Sequence, residues 1–312
     1  MKSILSRAAV AALGTVLMLA CGPHTAGAQP AGGTSALPFF LEPPDAARAS
    51  LGGPQSARGG DVAALFVNPA GACGLALEGF VTHAELGQGL RLESAALAMP
   101  VGRAGGTLSV GFAYAHVALE GRDENGDPSG SAGYSAGMLR AGYARNFGPV
   151  ISAGLALEYL YQGIAGETGS GWAMAVGALA RTKTADFSLV ADHVGPDLSS
   201  SAGTAPAPRT LRAGVRLHPA GAFDLLAELS RTGEARPFGA AGVEYRPAPA
   251  VALRLGYRRD LSGTDPLSGF SAGVGFGTGR WIADYGLVQD GGQSPVHRLS
   301  LRIGLGLPRL AP

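Results

Sequence analysis

From residue 77 onward, apolar and polar side chains trade places residue by residue over stretches of about ten, the pattern of a strand with two unlike faces. The third stretch shows it through Leu108, Val110, Phe112 and Tyr114, and the fifth through Ile151, Ala153, Leu155, Leu157, Tyr159 and Tyr161. Turn residues separate fourteen such segments: 77–86, 90–100, 106–119, 134–147, 150–162, 172–181, 185–194, 209–218, 223–232, 238–246, 250–260, 270–278, 281–289 and 297–307. Beyond the N-terminus no apolar run reaches the ~18 residues of a spanning helix, which excludes a membrane protein built from helices and leaves the closed barrel. An even count of short alternating segments is what a single-chain barrel requires. The expected fold class is therefore all-β: a transmembrane antiparallel β-barrel of about 14 strands. A soluble periplasmic sandwich competes poorly, because its two-sheet core gives no reason for alternation sustained over the whole chain.

Connection lengths add an independent expectation. If the chain enters from the periplasm, connections after odd segments are extracellular and long, and those after even segments are tight. The stretches 121–133, 163–171, 195–208, 261–269 and 290–296 are long, whereas 148–149, 182–184, 219–222 and 247–249 are short. Two connections, 87–89 and 233–237, are short where length is expected.

Parity then separates a lipid face from a lumen face. In three segments one face reads Leu211, Ala213, Val215, Leu217; Val251, Leu253, Leu255, Tyr257; and Leu299, Leu301, Ile303, Leu305. The opposite faces carry Arg212 and Arg216, Arg254 and Arg258, Arg298 and Arg302, and neighbouring segments offer Asp224, Glu228, Glu244 and Asp284. Opposite charges on adjacent strands can pair across the ladder, which makes these residues a structural polar network of the lumen before a substrate-selecting lining. Trp172, Tyr159, Tyr245, Tyr257, Trp281 and Tyr285 fall near segment ends, where interfacial aromatic girdles sit.

Ahead of the strands lies a different kind of segment, 45–71, DAARASLGGPQSARGGDVAALFVNPAG. Asp45 can open a helical turn through Arg48, Gly52-Gly53 breaks it, Asp61 can cap a second turn through Phe66, and Asn68-Pro69 stops that turn. A helix-and-turn element before a barrel reads as a plug.

Composition fits this picture. Charged residues make up 15% of the chain, against about 25% in ordinary soluble domains, and there are 50 Gly. A formal net charge of +1 gives no electrostatic case for nucleic acid or an acidic substrate. Lys2 and Arg7 precede the apolar run 8–20 and the small-x-small site Ala26-Gly27-Ala28, so 1–28 reads as a cleaved signal peptide and 29–75 as the segment that carries the plug. Met18-Leu19-Ala20-Cys21 also reads as a degenerate lipoprotein box with Cys21 acylated, though Met stands where Leu is usual. Either way the chain leaves the cytoplasm. With Cys73 the only other cysteine, no disulfide framework exists.

Catalytic and metal patterns have plainer explanations. Gly133-Tyr134-Ser135-Ala136-Gly137 and Gly269-Phe270-Ser271-Ala272-Gly273 match G-x-S-x-G, but each opens a predicted strand after a loop rather than a strand-turn-helix elbow. His24, His83, His116, His193, His218 and His297 are scattered without metal-ligand spacing. Asp123, Asn125 and Asp127 resemble the start of a calcium loop, yet Pro128 stands where Gly is needed and no Glu closes it. The alternating Gly273, Gly275, Gly277 and Gly279 are followed by no helix, so close packing inside the barrel explains them better than a dinucleotide site. No cofactor, metal or enzymatic activity is expected.

Leu51-Gly52-Gly53 after Arg48, then Asp61 and Asn68-Pro69-Ala70-Gly71, resembles the N-terminal segment of the PorV/PorQ family of bacterial outer-membrane barrels, relatives of the FadL long-chain fatty acid channels. Weaker marks are Tyr143-Ala144-Arg145, His193-Val194-Gly195 and His297-Arg298-Leu299-Ser300-Leu301. The resemblance runs from about Pro43 to Leu305, and the wall would span 76–307. It departs at the end, where the tail 308–312 replaces the usual terminal aromatic residue. It implies a cell outer-membrane location, outer-membrane lipid as surroundings and one of two functions: passage of a hydrophobic small-molecule ligand through a plugged lumen, or a carrier that hands secreted proteins to a type IX-like surface attachment machine. In either case Asn68 and Arg48 are expected to fix the plug through hydrogen bonds to the inner wall.

Overall fold

A computed structural model describes residues 37–305 apart from 88, 103–104, 123–124, 165, 201–202, 234–236, 261–268 and 290–293. The expected signal peptide over 1–28, with Cys21, and the tail over 308–312 lie outside the described residues. No helix among the described residues is long and apolar enough to cross a membrane, which says nothing of strands.

The strands are β1 (Glu78–Glu85), β2 (Arg91–Val101), β3 (Gly106–Arg122), β4 (Pro128–Phe147), β5 (Ile151–Ile164), β6 (Glu167–Arg181), β7 (Ala185–Val194), β8 (Leu198–Ser200), β9 (Gly203–Ala205), β10 (Thr210–Ala220), β11 (Phe223–Thr232), β12 (Phe238–Ala248), β13 (Val251–Asp260), β14 (Phe270–Thr278), β15 (Trp281–Val288) and β16 (Val296–Gly304). Setting aside the small β8–β9 hairpin, fourteen strands pair antiparallel in sequence order, with β7 pairing directly to β10. The last strand returns to the first, from Glu78↔Gly304 to Glu85↔His297, so the sheet closes and leaves no open edge along this wall. We call the end of the barrel at Glu85 and Arg91 the upper end.

The wall is uneven. β1 and β15 have 8 residues each, whereas β3 has 17 and β4 has 20. Most of the loop expected over 121–133 is therefore strand, and the one expected over 163–171 shrinks to a tight turn between β5 and β6. Gly, Ser and Pro blurred the alternation there, but an antiparallel ladder satisfies backbone groups whatever the side chains, and β3 stays paired with β4 up to Arg122↔Pro128. Asn125 lies in the connecting turn, and Asp123 of the calcium-like pattern lies outside the described residues.

Polarity across the wall is inverted relative to a soluble protein. Leu255 is 66% exposed on the outer face while its neighbour Arg254 is 4% exposed on the inner one. Leu211, Leu253 and Leu299 also face out, and Arg212 and Arg298 are buried within. Outward aromatic rings meet across strands: Tyr159 with Trp172 at 5.2 Å, Phe223 with Tyr245 at 4.5 Å and Tyr257 with Phe270 at 4.9 Å.

Candidate functional site

The lumen is filled by the chain's own N-terminal segment. Four short helical turns shape it, and all but the first, Pro38–Leu41, are started by a side-chain cap. Asp45 accepts from the Arg48 amide at 2.6 Å to start helix α1 (Ala46–Ala49). Asp61 accepts from Ala64 N at 3.1 Å ahead of a 3-10 turn, Val62–Phe66. Asn68 does more than stop that turn: it accepts from Ala70 N at 3.1 Å and starts another, Pro69–Ala72, with Pro69 at its first position. Gly52 sits at φ 87, and a Cβ there would lie 2.6 Å from the Tyr257 carbonyl oxygen, so only glycine fits.

Glycines also make the room on the wall side. A Cβ on Gly177 would lie 2.0 Å from Asn68 Oδ1, and one on Gly154 2.4 Å from Ala70 N. Gly242 and Gly256 face Leu51 in the same way, Gly273 and Gly286 face Ser50 and Ala46, Gly214 faces Ser56, and Gly111 and Gly142 face Phe66 and Leu65. Much of the glycine excess is thus a belt into which the plug fits.

Polar contacts tie the plug to the wall around its circumference. Ala46 N donates to Ser300 Oγ at 2.7 Å, Val62 N to Glu78 Oε1 at 2.8 Å and Gly74 N to Thr107 Oγ1 at 3.0 Å. Ser56 N donates to the Glu228 carboxylate, and Arg298 donates to the Pro43 carbonyl. Asn68 Nδ2 reaches Ala178 O on β6 at 3.3 Å and Ser56 O at 3.1 Å. Arg48, expected to bind the wall, instead binds the plug to itself through Asp45, Asp61 at 2.9 Å and the Arg58 carbonyl at 2.5 Å. Burial would raise the Asp61 carboxyl, but the Arg48, Arg302 and Arg58 guanidiniums outweigh it and hold Asp61 well below the usual carboxylate range.

The lumen charges read from sequence mostly meet, though fewer of them pair between adjacent strands than the alternation implied. Arg216 pairs with Asp224 at 2.6 Å and Arg254 with Glu244 at 2.5 Å across neighbouring strands. Arg254 also reaches over β14 to Asp284 at 2.7 Å, which works because Gly275 leaves the space open. The others turn to the plug: Arg302 to Asp61 at 3.7 Å, Arg258 to Glu42 at 3.2 Å and Glu228 to Ser56. Arg212 pairs with Asp192 at 2.5 Å rather than with Glu228.

That last pair belongs to a cluster the sequence reading missed. Arg140 lies 2.7 Å from Asp192 and 3.4 Å from Glu158, and His193 Nδ1 lies 2.6 Å from Glu158, all fully buried. Arg140 Nη1 donates to Phe66 O at 3.1 Å and Arg212 Nη1 to Val67 O at 3.5 Å, so the cluster grips the plug. Glu158, Asp192 and His193 bring ligand atoms within 4.8 Å of one another, but Arg140 and Arg212 already neutralise the two carboxylates, an unfavourable setting for a cation. A signal was present: Arg140 stands alone between Leu139 and Ala141, and Glu158 between Leu157 and Tyr159, each at an inward position of a strand.

The upper half of the lumen beside β1–β6 is apolar. Leu37 and Phe40 are buried with Ala84, Leu92, Ala113, Ala136, Met138, Leu160 and Leu198 in one cluster, and Phe39 packs edge-on to Tyr134 at 5.2 Å. Ser135 lies in mid-strand on β4 and Ser271 near the start of β14, neither at a strand-to-helix turn.

Neither a family model nor a curated protein matches the chain. Among solved structures it is similar to a TodX deltaS2S3 mutant monoaromatic hydrocarbon channel, with a TM-score of 0.58 at 12% identity over 85% of this chain and 98% of that one. It is likewise similar to a Pseudomonas aeruginosa FadL homologue, with a TM-score of 0.57 at 10% identity over 85% of this chain and 98% of that one. The chain has a FadL-like fold. Within that fold, the closed fourteen-strand wall and the segment seated in its lumen make one unit.

Proposed function

We propose that this chain is a plugged outer-membrane channel for hydrophobic small molecules, with 1–28 as a signal peptide, 29–75 carrying the plug and 76–307 forming the wall. The observation that carries the reading is the pairing of an apolar outer wall with a lumen whose upper half, beside β1–β6, is lined by alanines, Met138 and Leu160. The outer face suits lipid and the lumen half suits an apolar solute, while the plug fills the rest. One similar structure is named as a monoaromatic hydrocarbon channel, which is in keeping with such a solute. The plug residues Leu51-Gly52-Gly53 and Asn68-Pro69-Ala70-Gly71 support placing the chain with the PorV/PorQ barrels.

The test is gentle purification from outer membranes followed by native mass spectrometry. An apolar small molecule bound at one per barrel supports the channel. A stoichiometric secreted polypeptide in its place overturns it in favour of the type IX-like carrier role.

A further inference from the structure

The connection from β7 to β10 begins at a backbone outlier. His193, at the end of β7, holds φ at 53, a left-handed conformation that strains a residue other than glycine. It is fully buried and fastened by Glu158 through Nδ1 and by Asp192 through its own amide at 3.2 Å. Two residues on, a Cβ on Gly195 would lie 2.3 Å from the Trp172 carbonyl oxygen, so only glycine fits where the chain passes β6.

Above Met174↔Val194 the β6–β7 ladder ends, and β6 pairs instead with β8 at Ser170↔Ser199 and Gly169↔Ser200. The hairpin carries Leu198 and Ala207 into the apolar upper lumen, where both are buried alongside Leu37, Met138 and Leu160. Its base is clasped at the rim: Arg209 Nε donates to Gly195 O at 2.9 Å and Nη2 to Asp197 at 2.6 Å. That clasp is exposed, whereas the hinge is not. The hinge also shares Glu158 and Asp192 with Arg140, the residue that donates to the Phe66 carbonyl of the plug.

We propose that the arms 195–200 and 203–208 form a lid over the lumen, hinged at His193 and clasped by Arg209 and Asp197, and that the buried Arg140–Glu158–Asp192 cluster ties lid to plug so that releasing one loosens the other. Outlier backbone, an obligatory glycine and an exposed clasp across the hairpin's base are what a segment with two positions needs. The lid's purpose rests on the channel reading. Its test requires no solute, so failure of the lid and failure of the channel stay separate.

In the full-length chain, Leu198→Cys on a Cys73→Ser background reports the lid, with labelled sites read by peptide mass after exposure to a maleimide. Releasing the clasp with Arg209→Gln is expected to speed labelling at position 198 at least tenfold, with heat-modifiable gel mobility confirming that the barrel stays folded. Equal rates with and without Arg209→Gln overturn the lid. In a chain that keeps Leu198 and the buried Cys73, Arg209→Gln is expected to raise alkylation of Cys73 severalfold. A faster lid with an unchanged Cys73 overturns the tie between lid and plug.

Discussion

On the β10–β16 side of the lumen, charge meets charge. Arg58 lies between Asp61 and Glu244, Arg254 between Glu244 and Asp284, and Arg216 beside Asp224, all in contact distance. The upper half beside β1–β6 is built from Ala84, Ala113, Ala136 and Met138, with the Leu37 and Phe40 side chains resting on them. The first surface is directional, since a buried guanidinium tolerates few positions for its carboxylate, and so it fixes where the plug sits. The second is non-directional and can take up another apolar body in place of the first. One side holds the plug in register, and the other packs against it without fixing its place.

Breaking the directional side should have the largest effect. Glu244→Gln takes one of two buried carboxylates away from both Arg254 and Arg58, leaving them Asp284 and Asp61, and is expected to lower stability by about 3 kcal/mol, read from denaturant unfolding. Glu85→Gln, whose side chain is 60% exposed and only 4.0 Å from His83 on the outer face, is expected to change it by less than about 0.5 kcal/mol. Equal effects would erase the distinction between lumen and outer charges.

Overfilling the glycine belt comes next. Gly177→Val places a Cβ 2.0 Å from Asn68 Oδ1 and should cost about 1–3 kcal/mol while exposing the plug to protease. On the outward side, Gly137→Ala meets nothing nearer than 3.9 Å and is expected to be neutral or mildly stabilising by the same assay.

Asn68→Ala removes one cap and two carbonyl contacts and is expected to cost about 1 kcal/mol and to raise leakage of small solutes through reconstituted barrels. Unchanged permeability would remove Asn68 from the seal. The smallest effect is one of pH. Asp61 is held below its ordinary 3.8, so its contribution is fully present above that value and is lost as pH falls further. Stability should therefore be insensitive to this group between pH 5 and 8 and decline below about pH 4, and Asp61→Asn should flatten that decline.

How much of this could be read in advance follows from the range of each interaction. Alternation is a local property, because a pleated strand turns successive side chains to opposite faces, and so the fourteen barrel strands, their inward arginines and their outward leucines were legible from spacing alone. The turns capped by Asp45 and Asp61 were legible for the same reason, since a cap and the amide it receives are three residues apart. The extra height of β3 and β4 was hidden, because the ladder there is held by backbone pairing that Gly, Ser and Pro do not advertise.

Partners were hidden too. Nothing local says that Arg212 turns to Asp192 and leaves Glu228 to Ser56, or that Arg48 stays within the plug, because those choices depend on which strands closure brings face to face and on what already occupies the lumen. The glycine belt makes the same point. From sequence its members are weak positions in strands, and only with the plug in place does each become a contact surface. Which face of a strand looks inward is written locally, in the alternation of its side chains. What each inward residue meets is settled by barrel closure, because the contacts run across the ladder and into the plug over separations from 8 residues for Arg216 and Asp224 to 254 for Ala46 and Ser300.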